Sequence, residues 1–167
     1  MIKATLFERL FNEKPNTLNL YKSLHPEDDS ASVEDIEIVT LSKTLTKSNY
    51  NDLCFLIKDK LVVVIDSLSA PSNNLLARYI LYIDKALKQY LENNNIDIDD
   101  SAKVTIPKIE LYIINYKDEG NNLDIINISD ETFRENNSFL KIKAKVISYD
   151  KNSNTILNQY IRFCQIF

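Results

Sequence analysis

Asp52-Leu53-Cys54-Phe55-Leu56-Ile57-Lys58-Asp59-Lys60-Leu61-Val62-Val63-Val64-Ile65-Asp66 is a pair of apolar runs divided by charged residues, and its reading decides the architecture. β-Branched and aromatic runs broken by a short polar stretch predict a β-hairpin. With Lys58-Asp59-Lys60 as the turn, Ile57 pairs with Leu61 and Asp52 stands directly opposite Asp66. Directly opposed residues share a sheet face with Cβ atoms ~4.5–5.5 Å apart. A loop of two or four residues changes the parity and sends the two Asp to opposite faces. In the first arrangement, two ionised carboxylates repel by roughly 3 kcal/mol at an effective dielectric of ~20. A divalent cation, a proton or a neighbouring Lys or Arg then has to relieve that repulsion.

Outward from the hairpin, Leu6, Phe7, Leu10 and Phe11 recur at helical spacing over Ile2 to Phe11, and Pro15 opens a second short helix with Leu18, Tyr21 and Leu24. Ile36 to Val39 alternates like a strand. From Asn73 to about Glu92, Leu76, Ile80, Ile83, Leu87 and Leu91 form a wide apolar stripe, with Ser72 or Asn73 as N-cap, and predict a long helix packed across a sheet. Pro107 precedes Ile109 to Ile114, an apolar run of the kind found in a buried central strand. Leu140 to Tyr149 alternates, with Lys141, Lys143 and Lys145 on one face, and Ile156 to Phe163 reads as a last amphipathic helix. The pattern predicts an α/β domain with a mixed sheet over residues 1-167: an N-terminal helical pair (1-24), a core sheet with its long helix (36-115) and a C-terminal strand and helix (139-167).

The 167 residues are 44% apolar and 26% charged, ordinary for a chain with a sizeable core, but they hold one Gly, one His and two Cys. A phosphate-cradling loop needs several glycines, which excludes P-loop and dinucleotide-binding motifs. His25, Cys54 and Cys164 are far apart with no CxxC or HExxH, which argues against structural zinc. A Ser-His-Asp or Cys-His site needs His25, which lies in the acidic stretch His25-Pro26-Glu27-Asp28-Asp29 and reads as part of a solvated loop. Cys54 and Cys164 read as buried hydrophobes of a reducing compartment. Carboxylates, lysines, tyrosines and a hard metal ion remain for chemistry.

Tyr50-Asn51-Asp52-Leu53-Cys54-Phe55, Lys60 to Ser69, Leu76-Ala77-Arg78-Tyr79-Ile80-Leu81-Tyr82 and Ile106-Pro107-Lys108-Ile109-Glu110-Leu111-Tyr112 together resemble the Rpn-type, YhgA-like transposase and recombination-promoting nuclease family of the PD-(D/E)XK superfamily. The likeness extends upstream through Leu10-Phe11-Asn12 and Leu18 to Tyr21, and downstream through Leu140 to Asn158. It implies a restriction-endonuclease-like fold with a central hairpin. It further implies a metal-binding Asp on the first hairpin strand, matched by Asp52, and a Glu-x-Gln on the second, in whose place stands Asp66-Ser67-Leu68. Asp66 keeps the charge with a shorter reach, whereas Leu68 lacks the polar group. Losing one such group typically costs ~10²–10³ in rate. Lys85 or Lys88 is a candidate for a displaced lysine, and Arg78 matches an Arg of the family helix, placed to reach a phosphate or to neutralise an acid.

Two functions follow from the resemblance. One is a catalytically weakened or silent nuclease-like protein that binds DNA or a protein partner in mobile-element or defence and counter-defence biology. The other is an active endonuclease in which Asp52 and Asp66 hold Mg²⁺ or Mn²⁺, a bound water attacks the phosphodiester and Arg78 or a lysine steadies the phosphate. Lys141, Lys143 and Lys145, ~6.8 Å apart in steps of two, match the spacing of phosphates along a strand, and edge protection is the competing reading. The acidic stretches Glu27-Asp28-Asp29 with Glu34-Asp35, and Asp97 to Asp100, read as solvated loops, with imitation of a nucleic-acid backbone or attraction of a basic partner as the competing reading. The apolar Phe163-Cys164-Gln165-Ile166-Phe167 either docks on the core or associates two copies into a homodimer. A net charge of −4 argues against non-specific nucleic-acid binding by the surface as a whole. Neither a signal peptide nor a membrane span is legible, so a cytoplasmic protein is expected.

Overall fold

The computed structural model describes residues 2–39, 52–66, 75–119, 124–127 and 140–166. Helices α1 (Ile2–Phe11) and α2 (Lys14–Leu24) precede strands β1 (Ile36–Ile38), β2 (Leu53–Ile57) and β3 (Lys60–Asp66). Helix α3 (Leu75–Asn93) leads to β4 (Lys108–Glu119), β5 (Asp124–Asn127) and β6 (Lys143–Tyr149), followed by α4 (Ile156–Ile166). The strands form one six-stranded sheet in the order β1-β2-β3-β4-β6-β5. β1, β2 and β3 are antiparallel neighbours, β4 is parallel to both β3 and β6, and β5 closes the far edge antiparallel to β6. The expected α/β class with a mixed sheet is what the chain adopts. The sequence reading missed β5, whose four residues hold too few apolar side chains to stand out alone.

Period two in the strands divides the core between the faces. Leu53, Phe55, Ile57, Val62, Val64, Tyr112 and Ile114 lie under α1, α2 and α4, against Phe7, Phe11, Leu20, Tyr21, Tyr160 and Ile161. Cys54, Leu56, Leu61, Val63, Ile65, Leu111 and Ile113 lie under α3, against Leu76, Tyr79, Tyr82 and Ala86. Because both faces are covered, the strands read as continuous apolar runs. Both cysteines are buried and neither forms a disulfide, and burial pushes the Cys54 thiol up to about 12, as expected of a packing group.

Two polar side chains fasten the helices to this frame. The buried Thr17 hydroxyl donates to the Phe11 carbonyl at 2.7 Å, holding the end of α1 to α2. Asn158 accepts from the Asp150 amide and donates to the Asp150 carbonyl, both at 2.8 Å, which joins the end of β6 to α4. Helix α3 stops without a glycine. Asn95 takes a φ of 51°, while the Ile96 amide bonds the Leu91 carbonyl and the Asn95 amide bonds that of Glu92. That is the Schellman pattern, with Asn as the left-handed residue. Its N-cap candidates, Ser72 and Asn73, lie outside the described residues.

The hairpin departs from the three-residue turn. Ile57 pairs with Lys60 and Leu53 with Val64, so only Lys58 and Asp59 form the loop. Lys58 carries a φ of 51° in that two-residue turn. Its ammonium is held across the gap by the Ser30 hydroxyl at 2.7 Å and by Asp28 at 3.5 Å. The acidic stretch before β1 is therefore tied to the hairpin at Asp28. Hydrogen bonds from Tyr21 and Ser30 hold that carboxyl well below the usual range.

Candidate functional site

The two-residue turn breaks the expected pair of carboxylates. The ladder runs in the order Ile57↔Lys60 to Leu53↔Val64, so the next step outward sets Asp52 level with Ile65, one residue short of Asp66. A one-residue change of register reverses the face of every side chain on a strand. The structure thus does not place Asp52 directly opposite Asp66. Asp66 ends β3 with its backbone paired to Ile114, and its side chain, together with Ser67 and Leu68, lies outside the described residues.

Asp52 instead meets α3. Its Oδ2 accepts from Arg78 Nε at 3.1 Å, from Arg78 Nη2 and from the Tyr82 hydroxyl at 2.7 Å. The Asp52 side chain is 0% exposed and that of Arg78 is 3% exposed. Arg78, Tyr79 and Tyr82 stand on the buried face of α3 because the helix period of 3.6 brings positions i, i+1 and i+4 together. Of the two roles implied for Arg78, neutralising an acid is the one the geometry realises. Burial opposes the guanidinium charge, but the Asp52 charge and hydrogen bonds outweigh it and hold the Arg78 pKa above its ordinary value. The Tyr82 phenol is raised as well, first by burial and then by the Asp52 charge.

These residues do not fit a divalent cation at Asp52. Its Oδ2 already accepts three donors, and a cation on this carboxylate would sit beside a buried guanidinium. Among the described residues no three His, Cys, Asp or Glu side chains stand close enough to share an ion. Lys88 spends its charge on Asp84 one turn away, at 2.8 Å on the exposed side of α3. It is not brought to Asp52.

A second polar cluster lies at the opposite end of the sheet, and the sequence reading missed it. His25 is 7% exposed, not part of a solvated loop. Its Nδ1 bonds Glu27 at 2.9 Å, its Nε2 bonds Glu110 Oε2 at 2.6 Å, and its ring stacks on Tyr21 with centroids 4.7 Å apart. Tyr112 donates to the same Glu110 oxygen at 3.1 Å, and Lys108 meets Oε1 at 2.8 Å. Burial acts to raise the Glu110 pKa, but the Lys108 hydrogen bond and the His25 charge and hydrogen bond together hold it below the ordinary value. The signals were present: a glutamate inside the apolar run of β4, and Tyr21 and His25 at i, i+4.

Of the predicted lysine row, Lys143 and Lys145 lie on β6, while Lys141 precedes the strand. β6 runs between β4 and β5, paired with β5 from Lys143 and with β4 from Lys145 onward. The Lys145 ammonium stands 5.8 Å from the centre of the Tyr112 ring. The lysines of β6 therefore share the sheet face of Glu110 and Tyr112.

No family model matches the chain, no curated protein does, and no solved structure does. Among the described residues no helix is long and apolar enough to cross a membrane.

Proposed function

We propose that the chain is a restriction-endonuclease-like protein of the Rpn type that has lost metal-dependent cleavage and acts by binding DNA. The observation that carries this reading is the closure of Arg78 and Tyr82 on Asp52, which occupies the implied metal ligand with protein donors. Replacing a metal by a guanidinium satisfies the carboxylate and removes the Lewis acid that would activate water. Lys143 and Lys145 on an interior strand, with Lys108 beside them, supply positive charge for a phosphate backbone on a chain whose net charge is −4.

Purified protein incubated with supercoiled and linear DNA in Mg²⁺ or Mn²⁺ tests the reading. Intact DNA, no heat of metal binding by calorimetry, and a salt-dependent mobility shift are expected. Cleavage abolished in both Asp52→Ala and Asp66→Ala would establish the active endonuclease instead. An absence of any DNA shift at low salt would turn the search to a protein partner.

A further inference from the structure

Parallel pairing between β4 and β6 begins at Tyr112↔Lys145. Before that point each strand is held from its outer side only: β4 by β3, from Lys60↔Lys108 to Val63↔Leu111, and β6 by β5, at Lys143↔Asn127 and Ala144↔Ile126. The strands part there and leave a cleft of about 210 Å³ lined by residues 108–112 and 143–145. Pockets that enclose whole drug-sized ligands run to roughly 300–1,000 Å³, so this one suits a single small group.

The charges around the cleft set its sign. Among the described residues Glu110 is its one carboxylate, and both of its oxygens are already engaged: Lys108 takes one, His25 and Tyr112 the other. Among the described residues no carboxylate pairs with Lys143 or Lys145. Lys145 is held toward the cleft over the Tyr112 ring. Two ammonium groups with no carboxylate partner among the described residues, above a partly apolar floor with Ile109, Leu111 and Ala144 in the lining, make an electropositive seat of low polarity.

We infer that this cleft binds one phosphate group, with Lys143 and Lys145 as its point-charge partners and Lys108 at its rim. Lysine ammonium groups serve phosphates in that way. The inference rests on the DNA-binding reading only where a DNA strand supplies the phosphate; a free phosphate fills the same seat.

Calorimetric and amide-shift titrations of the full chain with inorganic phosphate, pyrophosphate and a short single-stranded oligonucleotide test it. The proteins compared are the native chain, Lys143→Ala/Lys145→Ala and, as a control away from the cleft, Lys151→Ala. Native protein and the control are expected to bind pyrophosphate with shifts centred on residues 108–112 and 143–145, and the double variant to bind at least tenfold more weakly. Unaltered circular dichroism in the double variant shows that the loss is local. Pyrophosphate competing with the oligonucleotide identifies the source as nucleic acid. Pyrophosphate binding there without competition keeps the phosphate site and removes the DNA reading. Equal affinity in the native and double-variant proteins, or no binding, overturns the proposal.

Discussion

Arg78, near the start of α3, closes on Asp52, which leads into β2, and the pair is shut off from solvent with side-chain exposures of 3% and 0%. Removing one member of such a pair strands a buried charge, which typically costs about 3–5 kcal/mol. Arg78→Ala and Asp52→Ala are each expected to fall in that range. The double variant should cost at least ~1 kcal/mol less than the sum, because the partners share one interaction. Urea unfolding of the four proteins measures this cycle, and strictly additive costs would mean that the two residues are not coupled.

Tyr82 contributes a third donor to the same carboxylate oxygen. Hydrogen bonds to charged groups contribute roughly 1.5–3 kcal/mol. Tyr82→Phe keeps the ring and loses the hydroxyl, so a loss of that size is expected in chemical denaturation. A cost below about 0.5 kcal/mol would place the weight of the pair on Arg78 alone.

Replacing Leu68 by Gln or Lys restores the polar group that the family resemblance calls for. Cleavage is not expected to return, because Asp52 remains occupied by Arg78 and Tyr82. A plasmid-nicking assay in Mn²⁺ decides the matter, and nicking by either variant would overturn the proposal that the closure of Arg78 on Asp52 blocks cleavage.

Glu110 is held below its ordinary value of 4.5 in the folded state: burial raises it, and Lys108 and His25 overcome that effect. A carboxyl depressed by folding stabilises above its unfolded value and loses that contribution as pH falls through its folded value. Stability is therefore expected to decline below about pH 4.5, and Glu110→Gln to flatten that decline while lowering stability at neutral pH. Thermal unfolding between about pH 7 and pH 3 compares the two. Identical slopes would exclude Glu110 as a contributor.

Asn95 holds φ at 51° where α3 ends. Gly reaches that region without a Cβ clash, whereas Ala does not. Asn95→Gly is expected to leave stability within ~0.5 kcal/mol or raise it slightly, and Asn95→Ala to cost about 1 kcal/mol. The opposite order in denaturant midpoints would mean that the side chain, not the backbone, sets the cap.

Most of the frame was legible because both faces of the sheet are buried. Continuous runs such as Leu61 to Ile65 and the helical period over Leu76 to Leu87 carry signals that survive without context, although Ile80, counted in that stripe, lies exposed and Tyr79 and Tyr82 take the buried face. The hairpin was legible as a hairpin but not in register. Lys60 reads equally well as a turn residue or as the first residue of β3, and that one-residue difference separates facing aspartates from staggered ones. The pattern shows charge at Lys58, Asp59 and Lys60 but not that Ser30 and Tyr21, from earlier in the chain, reach over to hold Lys58 and Lys60.

The site was legible in its members more than in its arrangement. Asp52 and Arg78 were both singled out, and neutralisation by a neighbouring Arg was one of the ways named to relieve a crowded carboxylate. That Arg78 turns inward follows from its position beside Tyr82 on the buried arc of α3, which a reading of the leucines alone did not resolve. His25 was misread because its local stretch is acidic, while its partner Glu110 stands on a strand distant in sequence. Long-range pairs of this kind leave only an indirect trace, a charged residue in an apolar strand that has to be answered from somewhere else.

The placement of β6 between β4 and β5 bears on how the molecule assembles. Both ladders of β4 are parallel and join segments far apart in the chain, and such pairings form slowly because a long loop must close before any contact rewards it. Until β6 docks, the free flank of β4 presents Tyr112 to Ile114 along an unpaired strand, the kind of surface on which chains stick to one another. Yield on refolding should therefore fall steeply as protein concentration rises, even though the finished sheet pairs Tyr112 to Ile114 with β6.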